Sequence, residues 1–321
     1  MSDRKGKDHK VLSRREMLFS GTLAAGAAAM APMSGCSAAP KKAEESGGEQ
    51  AKKARARVKN IQLSLAAYSV REALTKGEMD LFGFIDWCAG MDLPGTELTS
   101  YYFKKGSEND PKYLHELRRH AFRQGVTISG TAIANDFCKP PGAALDKELA
   151  HVRQWIDNAA ELYAPHIRIF AGRAPEGVAL EQAITWCADG IKRSLEYAAE
   201  RGVTLGLENH GGITARAADH LGICKAVGEH PWFGVNLDTG NYRTDAYEEL
   251  AMAAPLAVNV QVKVVVMNNN GQSEPADLER LKKILVDSEY KGWVALEYEE
   301  EDPLANIPPY IEKMKKLFGC C

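Results

Sequence analysis

The sequence predicts a closed (β/α)₈ barrel, and three observations lead to that prediction. From residue 60 onward, short stretches that alternate apolar and polar residues are followed by longer stretches with helical periodicity. Predicted strands and helices follow one another in strict succession, eight of each over about 260 residues, which is a typical size for this fold. No glycine-rich phosphate loop follows the first strand, as it would in many doubly wound open sheets.

Each predicted strand has one apolar face and one face of small or polar residues. Ile61, Leu63 and Leu65 share a face of the first strand. In a barrel the apolar face meets the helices, and the other face converges on the barrel axis. We predict the strands at 61–69, 95–99, 126–132, 166–171, 203–212, 234–242, 258–266 and 292–300.

The predicted helices carry apolar residues three or four positions apart. Leu114, Leu117 and Ala121 form such a stripe, and Pro111 precedes them at the helix start, where proline is favoured. We predict the helices at 79–91, 111–124, 143–163, 180–200, 215–227, 246–253, 275–288 and 303–318. In the last of these, Pro308 and Pro309 are expected to break the first turn.

Polar side chains end four successive strands. Glu208 ends the fifth and Asp238 the sixth, Gln261 and Lys263 lie on the inward face of the seventh, and Glu297 ends the eighth. Barrel active sites form where the carboxyl ends of the strands meet. Three neighbouring carboxylates repel one another without a cation. Carboxylate and amide oxygens suit a divalent ion such as Mg²⁺ or Mn²⁺.

Two further charged residues, Glu97 and Arg168, lie on inward strand faces. They are candidates for substrate binding, and the alternative is an ion pair inside the barrel. The acidic run 299–302 is expected to be a solvated loop.

The motifs that carry these residues resemble those of a known family. LENHGG at 207–212, NLDTGNY at 236–242, VQVK at 260–263 and ALEYEE at 295–300 together resemble the sugar phosphate isomerase/epimerase superfamily, whose fold is the xylose isomerase-like TIM barrel. The resemblance covers residues 60–318. No single motif is specific, but their order and spacing are.

The resemblance implies a site with one divalent metal ion, which could be Mn²⁺, Mg²⁺, Co²⁺ or Zn²⁺. Positions matching Glu208, Asp238, a histidine at 261, and Glu297 bind the metal in the family. Glu208 and Glu297 then also move protons on opposite faces of a substrate. This sequence departs from the pattern at Gln261, whose amide oxygen is a weaker ligand than imidazole for most of these ions.

The resemblance also implies the groups that contact substrate. Lys263 matches a lysine that binds substrate or a developing oxyanion, and His210 and Asn241 match positions that commonly touch substrate. The family's aspartate after that lysine is replaced by Val264.

The expected activity is therefore that of a metal-dependent isomerase or epimerase of a sugar or related polyol, acting through an enediolate. One alternative is an exported carbohydrate-binding barrel without catalysis, which the Gln261 substitution suggests. Another is a lyase or hydrolase that acts on a glycoside with the same site. A homo-oligomer is compatible with the sequence.

The N-terminal residues predict export. Arg14 and Arg15 with an apolar run behind them resemble a twin-arginine signal, and Cys36 follows a lipobox-like motif. We predict a signal peptide at 1–36, a disordered linker at 37–59 and the barrel at 60–321. The protein is expected in the periplasm, or held to the membrane only by a lipid on Cys36.

Charge argues against a nucleic-acid partner. Residues 61–321 carry 27 basic and 37 acidic side chains, and an acidic body binds a phosphate backbone poorly. A phosphodiesterase related to apurinic endonucleases is disfavoured also because such enzymes use clusters of histidines. The cysteines at 88, 138, 187 and 224 have no metal or disulfide spacing and are expected in the core.

Overall fold

The computed structural model describes residues 60–319, and these residues form a closed barrel of eight parallel strands with a separate small hairpin. The barrel prediction is confirmed. Around the barrel, the order is β1-β10-β7-β6-β5-β4-β3-β2, and β8 and β9 form the hairpin. The strands are β1 (Ile61–Ala66), β2 (Gly95–Thr99), β3 (Thr127–Ala132), β4 (His166–Ile169), β5 (Thr204–Glu208), β6 (Phe233–Asp238), β7 (Ala257–Val262), β8 (Val265–Met267), β9 (Ser273–Pro275) and β10 (Gly292–Leu296).

Helices cover the outside of the barrel between successive strands. A short helix that was not predicted, α1, directly follows β1 and a single 3₁₀ turn. The helices are α1 (Arg71–Lys76), α2 (Leu81–Gly90), α3 (Pro111–Gln124), α4 (Ala143–Leu162), α5 (Leu180–Arg201), α6 (Ala217–Val227), α7 (Ala246–Ala253), α8 (Leu278–Asp287) and α9 (Pro303–Phe318).

The chain between β7 and α8 differs from the prediction. A seventh strand reaching Val266 is wrong, because the main chain leaves the barrel after Val262 and β8 pairs antiparallel with β9. Pro275 ends this hairpin instead of beginning the helix. The helix begins at Leu278, where Asp277 accepts a hydrogen bond from the main-chain nitrogen of Arg280.

The expected break at Pro308 and Pro309 is not observed. Helix α9 is continuous from Pro303 to Phe318. Buried Ile307 and Ile311 hold this part of the helix against the barrel. Packing of the apolar face therefore outweighs the two main-chain hydrogen bonds that proline cannot make.

The four predicted core cysteines are buried free thiols. Within residues 60–319, none of the helices combines the length and the apolar character that crossing a membrane requires. The predicted signal at 1–36 with Cys36, and the linker at 37–59, lie outside the described residues.

Candidate functional site

The carboxyl ends of β5, β6 and β7 are joined by polar side chains that bond to the neighbouring main chain. Asn209 donates to the carbonyl of Asp238 over 2.8 Å and accepts from its main-chain nitrogen over 2.9 Å. Thr239 Oγ1 in turn accepts from the main-chain nitrogen of Lys263 over 2.9 Å. These bonds fix the relative positions of the strand ends that carry Glu208, Asp238 and Lys263.

The same arrangement recurs elsewhere on this rim. Asn135, after β3, donates to the carbonyl of Phe170 and accepts from its main-chain nitrogen. Ser69, after β1, donates to the carbonyl of Leu296 and accepts from the nitrogen of Tyr298. The rim is thus a rigid frame, because buried main-chain groups that have left the sheet still find partners.

Glu208 is the last residue of β5 and its carboxylate is buried. Its Oε2 lies 2.9 Å from Arg168 Nε, and its Oε1 accepts a hydrogen bond of 2.9 Å from Asn241 Nδ2. Burial raises the pKa of Glu208 well above its ordinary value, and the positive charge of Arg168 opposes that rise. Glu208 is therefore a buried acid whose raised pKa is opposed chiefly by the charge of Arg168.

Arg168 links Glu208 to a stack of rings. Its guanidinium lies 4.0 Å from the centroid of the Phe170 ring, and that ring stacks on His210 with 4.1 Å between centroids. His210 is exposed on one side, and desolvation of the rest of its ring, followed by the charge of Arg168, lowers its pKa. A neutral imidazole at this position is suited to hydrogen bonding with an uncharged substrate.

Lys263 lies at the centre of the second half of the site. Its Nζ is 2.7 Å from Glu297 Oε1, 3.0 Å from Glu299 Oε2 and 3.2 Å from Asp238 Oδ2. Burial opposes the charged form, but Asp238, Glu297 and Glu299 raise the pKa of Lys263 above its ordinary value. The lysine is therefore a buried ammonium ion.

Glu299 belongs to the acidic run that was expected to be a solvated loop. That expectation is confirmed, because residues 299–302 are exposed and lie outside helices and strands, and the Glu299 side chain also reaches the ammonium of Lys263. The alternation that places Glu297 on the inward face of the predicted strand 292–300 continues to Glu299, two residues further on.

Asp238 is fully buried at the end of β6. Its Oδ1 accepts a hydrogen bond of 2.8 Å from the main-chain nitrogen of Gly240. Burial raises the pKa of Asp238 to about 7, which Lys263 opposes and repulsion from Glu297 reinforces. The contact to Lys263 at Oδ2 is an ion pair without hydrogen-bond geometry.

Gln261 and Glu97 form a polar network inside the barrel. Gln261 Nε2 donates to Glu97 Oε1 over 2.7 Å, and Gln261 Oε1 accepts from Asn236 Nδ2 over 2.6 Å. Asn259 Nδ2 donates to Glu97 Oε2 and lies 2.8 Å from Asn236 Oδ1. Arg168 pairs with Glu208 and not with Glu97, so the alternative of an ion pair between Glu97 and Arg168 does not describe the barrel interior.

A cavity of about 170 Å³ opens beside Lys263, large enough for a small polar molecule. One wall is the hairpin β8–β9, which was not predicted. The lining residues are Gly240, Asn241, Arg243, Lys263, Val264, Val265, Val266, Met267, Ser273, Glu299 and Glu300.

The predicted metal ligands do not fit a divalent ion as their side chains are arranged. Glu208 has both oxygens engaged by Arg168 and Asn241, and the oxygen of Gln261 is engaged by Asn236. The ammonium of Lys263 contacts both Asp238 and Glu297, at 3.2 Å and 2.7 Å from their carboxylate oxygens. Across residues 60–319, no group of three or more His, Cys, Asp or Glu side chains is arranged to hold a metal ion.

The structure thus brings most of the predicted site residues to one rim. The roles assigned to them stay predictions, including Gln261 as a metal ligand. Sequence reasoning missed Asn209, Asn236, Asn259 and Glu299. Asn209 directly follows a strand-ending acid, and Asn236 and Asn259 lie on inward strand faces, so pattern alone could have drawn attention to these three.

Comparison with known proteins gives one family and many structural neighbours. No curated protein matches the sequence. Three solved structures illustrate the neighbours, each with a TM-score near 0.6, and identities this low show the fold alone. A D-psicose 3-epimerase from Clostridium cellulolyticum H10 has a TM-score of 0.60 at 15% identity, covering 73% of this chain and 84% of its own.

The other two structures have similar scores. The 3-keto-D-glucoside 4-epimerase from E. coli has a TM-score of 0.61 at 14% identity, covering 80% of this chain and 99% of its own. The probable 3-DHS dehydratase from Bacillus anthracis has a TM-score of 0.61 at 15% identity, covering 79% of this chain and 98% of its own.

The family model described as "Xylose isomerase-like TIM barrel" matches residues 85–317, which is more than half of the sequence. That span begins within α2 and ends within α9, so it includes seven of the eight barrel strands and all of the rim acids. The chain belongs to the xylose isomerase-like TIM barrel family.

Proposed function

We propose that this protein is an isomerase or epimerase of a sugar or related polyol, and that Glu208 and Glu297 move the proton. The observation that carries the proposal is the pairing of each glutamate with a buried cation. Arg168 lies against Glu208, and Lys263 lies against Glu297. A carboxylate that is buried at a barrel rim and charge-paired is held in place and can exchange a proton.

The proposed reaction starts with a ketose whose carbonyl lies next to a C–H bond. That bond breaks, its proton passes to one glutamate carboxylate, and its electron pair forms an enolate on the carbonyl oxygen. A proton from the other glutamate then reaches the opposite face of the same carbon, which epimerises it. Return of the proton to the neighbouring carbon, with a matching transfer between oxygens, isomerises the sugar instead.

The neighbouring groups suit this chemistry. The raised pKa of Glu208 brings its basicity closer to neutral pH, where a general base is most effective. The ammonium of Lys263 lines the cavity and would stabilise a developing oxyanion. Asn241 lines the same cavity and would hydrogen-bond a substrate hydroxyl.

The proposal routes no step through a metal ion, although the family resemblance led us to expect one. The oxygens of the expected ligands are already engaged by protein donors and cations.

Two epimerases among the structural neighbours support a sugar substrate. The dehydratase among them supports a lyase as the second candidate, because elimination begins with the same proton abstraction. A glycoside with a leaving group next to the acidified carbon would be its substrate.

The test is deuterium exchange by the full chain in D₂O, with free ketoses and aldoses followed by NMR. We expect deuterium at one carbon next to the carbonyl. Glu208→Gln and Glu297→Gln should each lower the exchange rate by roughly 100-fold or more. Glu176→Gln, an exposed glutamate, is the matched control and should leave the rate unchanged.

A sugar that raises the melting temperature without any exchange would contradict the proposal and favour the binding-only barrel. Exchange accompanied by loss of a substituent, seen as a new unsaturated product, would favour the lyase.

We also propose that the chain is exported by the twin-arginine route, as a periplasmic protein or a lipoprotein anchored at Cys36. The support is the sequence pattern at 1–36. Replacing Arg14 and Arg15 by lysine should retain the protein in the cytoplasm. Metabolic labelling with palmitate should be lost in Cys36→Ala, and a wild type without label would contradict lipidation.

A further inference from the structure

The Lys263 ammonium lies within ion-pair distance of three carboxylates. Nζ lies 2.7 Å from Glu297, 3.0 Å from Glu299 and 3.2 Å from Asp238. The ammonium donates a hydrogen bond to Glu297, and its contacts with Glu299 and Asp238 are ion pairs. The lysine side chain is only 9% exposed, so the cluster is desolvated and its geometry matters.

The surrounding backbone is shaped around the lysine stem. A Cβ added to Gly240 would come within 2.7 Å of Lys263 Cδ and 3.0 Å of its Cβ. The same glycine donates its main-chain N–H to Asp238 Oδ1, over 2.8 Å. Gly240 therefore makes room for the lysine and at the same time holds one of the acids that the lysine contacts.

The amide at position 261 takes part in a different network. Its oxygen accepts from Asn236 and its nitrogen donates to Glu97, inside the barrel. A divalent ion coordinated by Asp238, Gln261 and Glu297 would have to break the bond from Asn236. It would also have to displace the ammonium from two carboxylates. Both changes would leave buried polar groups without partners.

We infer that the Lys263 ammonium is the resident cation of this carboxylate cluster and replaces the divalent metal that the family resemblance implies. A protein cation performs the task that three neighbouring acids require, which is to reduce their mutual repulsion. The inference concerns cation binding and does not depend on the reaction proposed above.

The first experiment measures metal in the unmodified protein. The full chain is purified without chelator from medium containing Mn²⁺ and Zn²⁺, and its metal content is measured by mass spectrometry. Calorimetric titration with Mn²⁺, Mg²⁺, Co²⁺ and Zn²⁺ follows. We expect no stoichiometric metal and no saturable heat. One tightly bound ion per chain in the wild type would overturn the inference.

The second experiment removes the ammonium. Lys263→Met keeps the stem and deletes the charge, and Lys263→Met with Gln261→His adds the imidazole ligand that the family resemblance places at 261. We expect the double variant to bind one Mn²⁺ with roughly tenfold or more higher affinity than the wild type, and to gain thermal stability on binding. A double variant that folds but binds Mn²⁺ no better than the wild type would contradict the inference.

Two further variants keep the test decisive if the methionine variants do not fold. Lys263→Arg retains a cation and should bind no metal, so metal uptake by this variant would also count against the inference. Lys282→Met, on the outer helix α8, is the matched control for loss of one lysine, and should match the wild type in both metal content and melting temperature.

Discussion

Gln261 and Glu97 are joined across the barrel interior by a hydrogen bond of 2.7 Å from Nε2 to Oε1. The bond directs the amide nitrogen of Gln261 into the barrel and gives a buried carboxylate a donor. Glu97 receives a second donor from Asn259, so both of its oxygens are satisfied without a cation in direct contact. The carboxylate inside the barrel is therefore bonded by amides, whereas the rim acids Glu208 and Glu297 are paired with cations.

The first prediction concerns stability and pH. Burial, and then repulsion from Glu297, raise the pKa of Glu97 from 4.5 to about 7. Between these values the folded chain keeps a proton that the unfolded chain has lost. The contribution of Glu97 to the free energy of unfolding is fully present below pH 4.5 and is lost as the pH rises through 7. The loss from Glu97 should reach about 3 kcal/mol, and Asp238 acts in the same direction.

Urea unfolding of wild type and Glu97→Gln at pH 5 and pH 8 measures this effect. The variant should lose less stability than the wild type between the two pH values. Glu116→Gln, on the exposed face of α3, is the control and should leave the difference unchanged. Equal pH dependence in the wild type and Glu97→Gln would show that Glu97 is ionised throughout.

The second prediction concerns Asn209. Asn209→Ala removes both hydrogen bonds to the main chain of Asp238 and leaves a buried N–H and a buried carbonyl without partners. The expected destabilisation is about 3 kcal/mol. Thermal unfolding should show a melting temperature lower by roughly 6 °C or more.

Asn306→Ala is the matched control for Asn209. Its side chain makes one exposed hydrogen bond to the carbonyl of Glu301. We expect a change of less than about 1 kcal/mol. Similar melting temperatures for the two variants would mean that the bonds between β5 and β6 do not hold the rim together.

The third prediction concerns a glycine inside the barrel. A Cβ on Gly206 would come within 2.4 Å of His166 Nε2, and His166 is fully enclosed in the barrel interior. Gly206→Ala should therefore destabilise the fold by about 1 to 3 kcal/mol. Gly222→Ala, within α6 and with open space around its Cβ, should be neutral or stabilising by up to about 1 kcal/mol. The urea midpoints of unfolding of both variants measure these effects. A Gly206→Ala variant as stable as the wild type would mean that the barrel strands can move apart at β5.

The fourth prediction rests on the proposed reaction. The charge of Arg168 lowers the pKa of Glu208, so Arg168→Met should raise that pKa further. The acidic limb of the pH profile for deuterium exchange should then move upward by about 1 pH unit or more. Arg168→Lys should restore part of the shift.

Arg153→Met is the control for the fourth prediction, because Arg153 lies over the Tyr197 ring on the outer helices. Its profile should superimpose on that of the wild type. An Arg168→Met profile that falls in height without moving along the pH axis would assign Arg168 a structural role only.

The barrel could be predicted from the sequence because the spacing of apolar residues within each segment identifies it as a strand or a helix. Strands such as Gly95–Thr99 and helices such as Pro111–Gln124 were predicted with the bounds that the structure has. The hairpin after β7 could not, since Val258 to Val264 alternates and the valines continue to Val266, and only pairing with Ser273–Pro275 shows that the end of this stretch leaves the barrel. Where a predicted strand extends beyond the adjacent barrel strands, the partner available for pairing decides its structure, and the local sequence pattern does not.

The sequence predicted which residues lie at the candidate site, but not which of their side chains contact each other. The positions of Glu208, Asp238, Lys263 and Glu297 at strand ends follow from the alternation of faces and the order of the strands. Which cation faces which acid depends on side-chain reach across the barrel. The pairing of Arg168 with Glu208, and the contact from Glu299, therefore needed coordinates.

The sequence by itself determined that this chain forms an eight-stranded barrel whose acids gather at one rim, because both facts depend on periodicity and order along the chain. Only the tertiary structure decided that Gln261 bonds inward to Glu97, and that the ammonium of Lys263 lies among Asp238, Glu297 and Glu299. Hydrogen bonds and ion pairs between distant strands are set by distances of a few ångströms, and sequence spacing does not encode those distances.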